Sequence, residues 1–550
     1  MRVWSRQHST TRYSGRTGYC NEKRFSMSRF KASRRHFLTT VSLASASIAL
    51  LSFPAFAEML PPSRTSGVPV PPGQIDKAVA ALDGIVEDIK ALSGVPGIAV
   101  AVVRGGKTVY AKGFGMRDAK GDLPVTPDTV FQLASLSKSV GATAVARQVS
   151  RGVVSWDSRM QDLLPWFSLS DPAVSERLTI GDLYSHRSGL PDHAGDDLED
   201  LGFDRRTILE RLRLQPLSPF RTSYAYTNFG LTAAAEAVAE ASGMAWSDLV
   251  QEAVFEPLGM NDTSARFDDF MARENRATPH ARTADGFAAL YQREPDAQSP
   301  AGGISSTIED MAKWMTMVLA DGGDLIRPEA LQPAISPQSF SSRPHSPDER
   351  AGFYGYGFGV GTDPSGRVVL SHSGAFILGS ATYFALIPSL DVGIIVLSNA
   401  APVGAVEAIG ASFTDMVQTG SVTRDWFSGY EALFAGLYTP LGETAGMPFP
   451  QAAAAPPLAS YCIGRYSHPY FGTVEVREDE TGSLVLLAGP KPEAFALLPW
   501  DGAMMVFDIE TENAPAGSRS AATFSGGSDE AEALEIELFI MNGPAQFKRI

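Results

Sequence analysis

The first strong pattern in the body of the chain is helical. Apolar residues recur at intervals of four and three positions from residue 75 to residue 89, which places them on one face of an amphipathic helix. The next segment, residues 97–103, is continuously apolar and predicts a buried β-strand. A glycine-containing turn at residues 104–107 leads into another apolar run from Thr108, so the two strands are predicted to form a hairpin.

Strand patterns return only after a long middle region of helices and loops. Residues 368–370, 381–387 and 392–397 are apolar and rich in strand-forming residues, and a Pro-Ser-Leu-Asp turn separates the last two. Strands at both ends of a region with a helical middle predict one sheet assembled from distant segments. We therefore expect an α+β domain over residues 75–430.

The last quarter of the body has a different pattern. An Ala/Pro-rich run at residues 448–457 predicts a linker, within a connecting segment over residues 431–457. Beyond it helical periodicity is scarce and short strands alternate; Leu534 and Ile536 share one face, whereas Glu535 lies on the other. Residues 458–550 are therefore predicted to form a small antiparallel β-barrel or sandwich.

Charge is distributed unevenly along the 550 residues, which carry a net charge of -15. Basic residues greatly outnumber acidic ones in residues 1–57, so the remainder is more acidic than the total implies. An acidic body repels phosphate backbones and anionic lipids, which argues against nucleic-acid partners. Of the two cysteines, only Cys462 lies beyond the N-terminal stretch, and the histidines form no zinc-binding pattern. No disulfide within the body, no metal and no cofactor are therefore expected.

The N-terminal 57 residues have the features of an export signal. Arg34 and Arg35 precede an apolar run over residues 41–53, and Ala55-Phe56-Ala57 supplies a small-x-small cleavage site. The run is shorter than the roughly 20 residues that a spanning helix needs. This arrangement resembles a bacterial twin-arginine signal and implies a periplasmic or secreted protein, while an ordinary secretory signal is the alternative. Translation could start at Met1 or at Met27. No other segment is apolar enough to cross a membrane.

Candidate chemistry begins with a serine and a lysine three positions apart. Ser135 opens a predicted helix that ends at Gly152, and Lys138 lies one turn later on the same face. A serine hydroxyl needs a base to remove its proton, and a buried lysine can be neutral enough to act as that base. The helix N-terminus also directs backbone N–H groups toward an oxyanion formed beside Ser135. The pattern alone is weak, because residues 28–31 match it inside the export signal.

Two further patterns follow at long intervals. Tyr226 and Asn228 form a Tyr-x-Asn pattern in a predicted loop before an Ala-rich helix, where they could relay a proton and hold a substrate amide. His372-Ser373-Gly374 follows a predicted strand, and its glycine would let a substrate backbone approach the strand edge. Chance matches to both patterns exist, at residues 19–21 and at residues 193–195. Their order and their predicted structural contexts make the three patterns specific as a set.

As a set, the three patterns resemble those of the serine β-lactamase and penicillin-binding superfamily. The likeness is to the branch containing class C β-lactamases, D-Ala-D-Ala carboxypeptidases and related esterases, and it spans about residues 75–420. It implies an antiparallel sheet flanked by helices, together with a helical subdomain. The tail resembles the lipocalin-like domain that often follows such enzymes. Further phrases that carry the resemblance are residues 183–191, 257–263, 301–304 and 354–357 in the body and residues 461–466 and 472–476 in the tail.

The resemblance implies a role for each matched residue. Ser135 corresponds to the nucleophile, Lys138 to its base and Tyr226 to the residue that passes a proton to the leaving group. Asn228 and the run His372, Ser373 and Gly374 correspond to substrate-binding residues. The backbone N–H groups of Ser135 and Ala375 correspond to the oxyanion hole. The implied reaction is acyl transfer through an acyl-enzyme on Ser135, with a small molecule or short peptide as substrate.

One departure from the family pattern bears on the substrate. The lactamases of this branch have a lysine where this chain has His372, which is mostly neutral near pH 7. The anchor for a substrate carboxylate is therefore weaker, which favours an esterase or a peptidase for small or D-residue peptides and leaves β-lactam hydrolysis open. The alternative from another class is a catalytically silent binding or scaffolding protein. Retention of the serine, lysine, tyrosine and asparagine argues against that alternative.

Two other features are expected to be structural. The acidic run from Asp192 to Asp204 is interpreted as a solvated loop, with a cation site as the less favoured alternative. His186 is expected to be a structural hydrogen-bonding residue, and Cys462 to be buried and unreactive.

Overall fold

The computed structural model describes residue 66, residues 68–539 and residues 545–550. The predicted export signal and the choice between Met1 and Met27 lie outside the described residues, as does Ile540. The described residues belong to one compact unit. No helix within the described ranges has both the length and the apolar character needed to cross a membrane.

An eight-stranded antiparallel sheet and the helices around it form the larger part of the molecule. The strands up to residue 398 are β1 Gly97–Arg104, β2 Lys107–Gly115, β3 Phe131–Gln132, β4 Ala281–Thr283, β5 Gly286–Ala288, β6 Ser305–Ser306, β7 Ser339–Ser342, β8 Gly352–Tyr354, β9 Gly359–Thr362, β10 Val368–Phe376, β11 Ser380–Ile387 and β12 Val392–Ser398. The sheet order is β2-β1-β12-β11-β10-β9-β8-β7. The first hairpin thus pairs directly with the last strand of this set, which confirms the prediction of one sheet built from distant segments.

Seventeen α-helices are present in the described part of the chain. They are α1 Gln74–Ser93, α2 Leu136–Arg151, α3 Met160–Leu163, α4 Pro172–Ser175, α5 Ile180–Tyr184, α6 Asp196–Asp200, α7 Arg205–Arg211, α8 Asn228–Ser242, α9 Trp246–Val250, α10 Glu256–Leu258, α11 Phe267–Ala272, α12 Ser299–Gly302, α13 Ile308–Leu319, α14 Pro328–Leu331, α15 Ala405–Thr419, α16 Trp426–Phe434 and α17 Ala459–Cys462. A π-helical turn, Gln251–Phe255, joins α9 to α10. Most of these helices lie between β2 and β7, which accounts for the helical middle of the sequence.

The sheet is covered on both faces because its central strands are apolar on both faces. Ile98, Val100 and Val102 of β1 pack in one cluster with residues of α1 and α15. Ala99 and Ala101, which alternate with them, pack in the other cluster with residues of α2 and α13. This alternation follows from the two-residue period of a strand, and it explains why residues 97–103 are continuously apolar.

The C-terminal part is a second antiparallel sheet. Its strands are β13 Gly464–His468, β14 Gly472–Glu478, β15 Leu484–Ala488, β16 Glu493–Ala496, β17 Leu498–Asp501, β18 Met504–Asp508, β19 Arg519–Ser525, β20 Ala533–Ile536 and β21 Ala545–Arg549. They are ordered β16-β15-β14-β13-β21-β20-β19-β18-β17, and β16 also contacts β18, so the sheet nearly closes into a barrel. The predicted β-barrel fold is confirmed, while the residue boundaries of the domains and the lipocalin-like character stay predictions.

Two local predictions need correction. The strand predicted over residues 368–370 continues through the run His372-Ser373-Gly374, so the run lies on strand β10, where His372 pairs with Phe384 of β11. The polar residues hide the strand in the sequence, although their backbones continue the ladder. Asn228 does not lie in a loop but is the first residue of α8. Tyr226 remains just outside that helix, as expected.

Candidate active site

Ser135 lies at the N-terminus of a helix buried in the core. Helix α2 ends as predicted at Gly152, whose left-handed backbone caps it. Its buried length is rich in Ser, Gly and Ala, and these small side chains let neighbours pack closely; a Cβ on Gly141 would lie 3.1 Å from the Trp246 ring. Ala134, directly before the serine, has a φ of 47°, a strained conformation for a residue with a side chain. The strained turn places the Ser135 hydroxyl at the end of the helix.

Lys138 is fully buried one turn after the serine. Its Nζ lies 3.1 Å from Ser135 Oγ, 2.7 Å from Asn228 Oδ1 and 2.9 Å from the carbonyl oxygen of Ala301. Burial lowers the pKa of Lys138 to about 7, although the charges of Asp196 and Glu199 act in the opposite direction. A neutral amine has two N–H groups for the Asn228 and Ala301 oxygens and one lone pair for the serine hydroxyl. The geometry therefore suits a base that receives the Ser135 proton.

Tyr226 and Asn228 are brought to the same point by the start of α8. The ring centroid of Tyr226 lies 4.7 Å from Lys138 Nζ, and Tyr226 lines the same cleft as Ser135. Burial raises the pKa of Tyr226 well above its ordinary value, while the nearby Ser135 acts the other way. The tyrosine is thus a phenol rather than a phenolate at rest. The structure brings together all four residues of the first two sequence patterns.

Gly374 brings β10 against the segment that carries the nucleophile. A Cβ at this position would lie 2.6 Å from the Leu133 carbonyl oxygen and 2.9 Å from the Ser135 nitrogen, so only glycine fits. The Thr382 hydroxyl of β11 donates to the same Leu133 carbonyl at 2.7 Å. The close approach places Ala375, the next residue, in the cleft beside Ser135. Both residues implied for the oxyanion hole therefore line one cleft.

His372 is not free to bind a substrate carboxylate, the role that the family resemblance implies for it. Its Nδ1 donates to the Ser373 carbonyl at 2.7 Å, and its Nε2 accepts from the Tyr354 hydroxyl at 2.8 Å. Burial, assisted by the charge of Lys138, lowers the pKa of His372 to about 3. The expectation of an imidazole that binds a substrate carboxylate therefore does not fit, because both ring nitrogens are engaged within the protein. Ser373, its neighbour, does line the cleft.

The acidic run holds a cleft residue that the sequence patterns missed. Asp196, the first residue of α6, is buried; its Oδ2 accepts from Asn228 Nδ2 and from His193 Nδ1, each at 2.8 Å. Glu199 is also buried and accepts from Arg293 Nη2 at 2.6 Å. The interpretation of this run as a solvated loop is therefore wrong. Residues far away in the sequence, Asn228 and Arg293, bind one oxygen of each of these carboxylates. In the sequence, only the helical spacing of Leu198 and the acids could have indicated α6.

Two histidines near the site, His193 and His186, differ in their roles. His193, which belongs to the chance match at residues 193–195, lines the cleft and was also missed. His186 is buried, and its Nδ1 accepts from the Thr227 backbone N–H at 3.2 Å. Its ring lies 4.5 Å from that of Tyr226. His186 thus has the structural role that was expected, although it supports the loop carrying Tyr226.

A loop of the C-terminal part forms one wall of the cleft. This loop, residues 510–515, follows β18 and contributes Glu512, Asn513 and Pro515 to the lining. Glu512 accepts from the Ile377 backbone N–H at 2.7 Å, at the end of β10. On the other side of the loop, Asp200 of α6 accepts from Asn513 Nδ2 at 2.9 Å. The loop is therefore held between the helical region and the sheet.

The cleft around Ser135 has a volume of about 490 Å³ and an acidic lining. Among the described residues that line it are the carboxylates Asp196 and Glu512 but no lysine or arginine. In the described ranges, no group of three or more His, Cys, Asp and Glu side chains could hold a metal ion. Cys462 is buried as expected, and burial raises the pKa of its thiol to about 11.

Comparison with known proteins agrees with this geometry. The chain is 26% identical over 411 residues to the unguisins hydrolase ungD' of Aspergillus campestris, covering 71% of this chain and 76% of that protein. It is 28% identical over 374 residues to esterase EstB of Burkholderia gladioli, covering 62% of this chain and 94% of the esterase. The solved octameric penicillin-binding protein homologue from Pyrococcus abyssi superposes with a TM-score of 0.55 at 20% identity, over 86% of this chain and 100% of that one. That structural likeness concerns the fold alone.

A protein-family model described as Beta-lactamase matches residues 82–413. The matched span is more than half of the chain. It contains the sheet, the buried helix α2 and each residue of the body that was singled out from the sequence, from Ser135 to Ala375. The chain therefore belongs to the β-lactamase family of serine hydrolases.

Proposed function

We propose that this protein hydrolyses an ester or amide bond through an acyl-enzyme on Ser135. The observation that carries the proposal is the buried Lys138 amine, 3.1 Å from Ser135 Oγ, with a pKa lowered to about 7. An amine with that pKa is about half neutral at pH 7 and can take the serine proton, whereas an ordinary lysine with a pKa near 10.4 is almost fully protonated there.

The proton follows a balanced path in the proposed acylation. Neutral Lys138 removes the proton from Ser135 as Oγ attacks the substrate carbonyl, and the resulting oxyanion accepts from the N–H groups of Ser135 and Ala375. Tyr226, a phenol at rest, gives its proton to the departing oxygen or nitrogen. The Lys138 ammonium then returns a proton to Tyr226. Asn228, fixed by Asp196 on one side and Lys138 on the other, holds the reacting group in place.

Water completes the cycle by the same groups in the reverse direction. Neutral Lys138 takes a proton from the water as it attacks the acyl carbon, either directly or through Tyr226, which gives its own proton to Lys138 as it receives one from the water. The Lys138 ammonium then gives this proton to Ser135 Oγ as the serine leaves. The chemistry uses side chains and backbone N–H groups of this chain for every proton. The substrates of this hydrolase family are small molecules, and the cleft volume of about 490 Å³ suits a small or short substrate.

The proposed substrate class is an ester, or an amide of a small or D-residue peptide, rather than a β-lactam. A β-lactam carries a carboxylate, and a charge-assisted contact to it would stabilise the complex by about 1.5–3 kcal/mol. The described lining of this cleft contains no lysine or arginine, and His372 is neutral and hydrogen-bonded elsewhere. His193 is the one described histidine in the lining, and its Nδ1 is held by Asp196 at 2.8 Å. Similarity to an esterase supports the choice. We expect β-lactam hydrolysis to be the weakest of these activities.

Lys138→Arg tests the assignment of the base and separates an enzyme from a catalytically silent relative. A guanidinium cannot lose its proton in a protein, so acylation by p-nitrophenyl acetate should fall by about three powers of ten or more. Burst amplitude and the mass of the acylated protein measure the effect, and circular dichroism monitors the fold. Lys313→Arg, which changes a half-exposed lysine on α13, is the matched control and should acylate normally. Near-normal acylation by a folded Lys138→Arg protein would show that Lys138 is not the base.

Asp196→Asn tests the electrostatic coupling between α6 and the base. The Asp196 charge raises the pKa of Lys138, so its removal should lower that pKa further. Because activity is lost as Lys138 gains a proton, the acidic limb of kcat/KM for a neutral ester should move to lower pH, by about one unit. Asp204→Asn, a helix-capping residue of the same acidic run, is the control. An acidic limb that stays in place, or moves to higher pH, would contradict the coupling.

We also propose that the protein is exported by the twin-arginine route to the periplasm or the medium. Support comes from the arginine pair, the short apolar run and the small-x-small site in residues 33–57. Changing Arg34 and Arg35 to lysine together should leave the precursor in the cytoplasm, measured by cell fractionation and immunoblotting. Arg29→Lys is the control and should be exported normally. Normal export of the Arg34→Lys, Arg35→Lys protein would point instead to an ordinary secretory signal.

A further inference from the structure

A second buried acid lies directly behind the substrate cleft and has no part in the proposed acyl transfer. Glu407 is on α15, the helix that packs on the face of the sheet opposite α2. The hydroxyl of Ser373, the cleft residue two positions before Ala375, donates to Glu407 Oε1. The Ser373 side chain is exposed toward the cleft, whereas Glu407 is only 4% exposed. Ser373 thus connects the cleft to a carboxylate inside the protein.

Glu407 has no compensating charge in the described structure. Its Oε2 is buried and has no hydrogen-bond partner among the described residues, and no described Lys, Arg or His forms an ion pair with it. Its immediate neighbours on α15 include the apolar residues Val406, Ala408 and Ile409. An unpaired carboxylate is costly in such surroundings, so a cation bound beside Glu407 would be stabilised by it.

The raised pKa of Glu407 is expected for a buried carboxyl group that has no cation beside it. Burial raises the pKa of Glu407 to about 7, with the Ser373 hydrogen bond acting in the opposite direction. The other ionisable groups near it are the phenols of Tyr383 on β11 and Tyr430 on α16, whose own pKa values it helps to raise. Neither phenol supplies positive charge. A cation entering the cleft near Ser373 would therefore be the group that stabilises the ionised carboxylate.

The hydrogen-bond direction at Ser373 determines which ligand group fits. Because the hydroxyl proton is committed to Glu407, the Ser373 oxygen presents only lone pairs to the cleft. An N–H donor fits such an oxygen, whereas a carboxylate would meet lone pairs and the negative charge behind them. Across the cleft, Asp196 has a buried Oδ1 without a hydrogen-bond partner among the described residues. Glu512 contributes little negative charge, because burial raises its pKa to about 8 and Arg293 Nε lies 3.9 Å from its Oε2.

We propose that Ser373 and Glu407 form a recognition site for the protonated amine of the substrate. The preferred substrate would be an aminoacyl ester or amide with a free α-amino group close to the bond that is cut. The inference rests on the proposed acyl transfer at Ser135 and narrows its substrate class. In this site the Ser373 oxygen accepts a hydrogen bond from the substrate amine. The negative charge of Glu407, which lies behind Ser373, stabilises the positive charge of that amine.

Paired substrates that differ only at the amine test the proposal. Alanine p-nitroanilide and N-acetylalanine p-nitroanilide, each as the D and the L isomer, are compared by kcat/KM at pH 7.5. The wild-type protein should prefer the free amine of the better isomer by about tenfold or more, as expected for a charge-assisted hydrogen bond. In Glu407→Gln this preference should fall by about tenfold. Taking the ratio within each variant cancels any uniform loss of activity.

Two further variants control for the possibility that Glu407→Gln acts only by disturbing the structure. Asp415→Asn removes another buried carboxylate from α15, one that accepts from the Thr423 backbone N–H at 2.8 Å away from the cleft, and should leave the ratio unchanged. Ser373→Ala changes a residue exposed to the cleft and should reduce the ratio of kcat/KM between free-amine and acetylated substrates by about as much as Glu407→Gln. This variant keeps the test available if Glu407→Gln fails to fold. A ratio that stays at the wild-type value in Ser373→Ala or in folded Glu407→Gln would overturn the proposal.

Calorimetry keeps this test separate from the test of the reaction. Alaninamide and N-acetylalaninamide are titrated into the Ser135→Ala protein with and without Glu407→Gln. The free amine should bind about tenfold more tightly than the acetylated compound, and Glu407→Gln should abolish the difference. If the wild-type protein acylates at Ser135 but shows no amine preference in either assay, the amine site is overturned and the proposed function stands. If the wild-type protein does not acylate, but the amine is bound preferentially and Glu407→Gln abolishes that preference, the amine site stands and the proposed function is overturned.

Discussion

The burial of one amine is the constraint on which the site depends. Lys138 could not serve as a base in water, and it does so here because α2 runs through the core with its small side chains packed on all sides. The same helix begins at Ser135. The element that buries the lysine therefore also presents the nucleophile, next to the positive end of the helix dipole. The strain at Ala134 and the close approach at Gly374 are consequences of placing that helix end against β10.

The acidic surroundings of the cleft follow from how it is assembled. The sheet supplies Ser373 and Ala375, α6 supplies Asp196, and a loop of the C-terminal part supplies Glu512. Each acid is held by backbone or side-chain donors from a different segment, and each also has one basic neighbour, His193 beside Asp196 and Arg293 beside Glu512. The lining contains no lysine or arginine that is free to bind a substrate carboxylate, so the site discriminates against anionic substrates.

The sequence predicted the parts of the site that depend on local pattern. The helix from Ser135 to Gly152, the sheet built from distant strands and the C-terminal β-barrel all follow from periodicity and turn residues. The acids Asp196 and Glu407 escaped prediction because a carboxylate that is buried by distant partners looks, in sequence, like any surface acid. His372 was placed near the site but misjudged, since nothing local indicates that Tyr354 would engage its Nε2.

The protein is expected to keep about half of the Lys138 amine neutral at pH 7, and NMR can measure this directly. The ¹³Cε resonance of Lys138, in protein labelled with ¹³C-lysine and identified by its absence in Lys138→Arg, is followed from pH 5.5 to pH 11. The account predicts a midpoint near 7, because burial disfavours the ammonium. A midpoint near the ordinary lysine value of about 10.4 would contradict it, since the amine would then be protonated whenever Ser135 has to lose its proton.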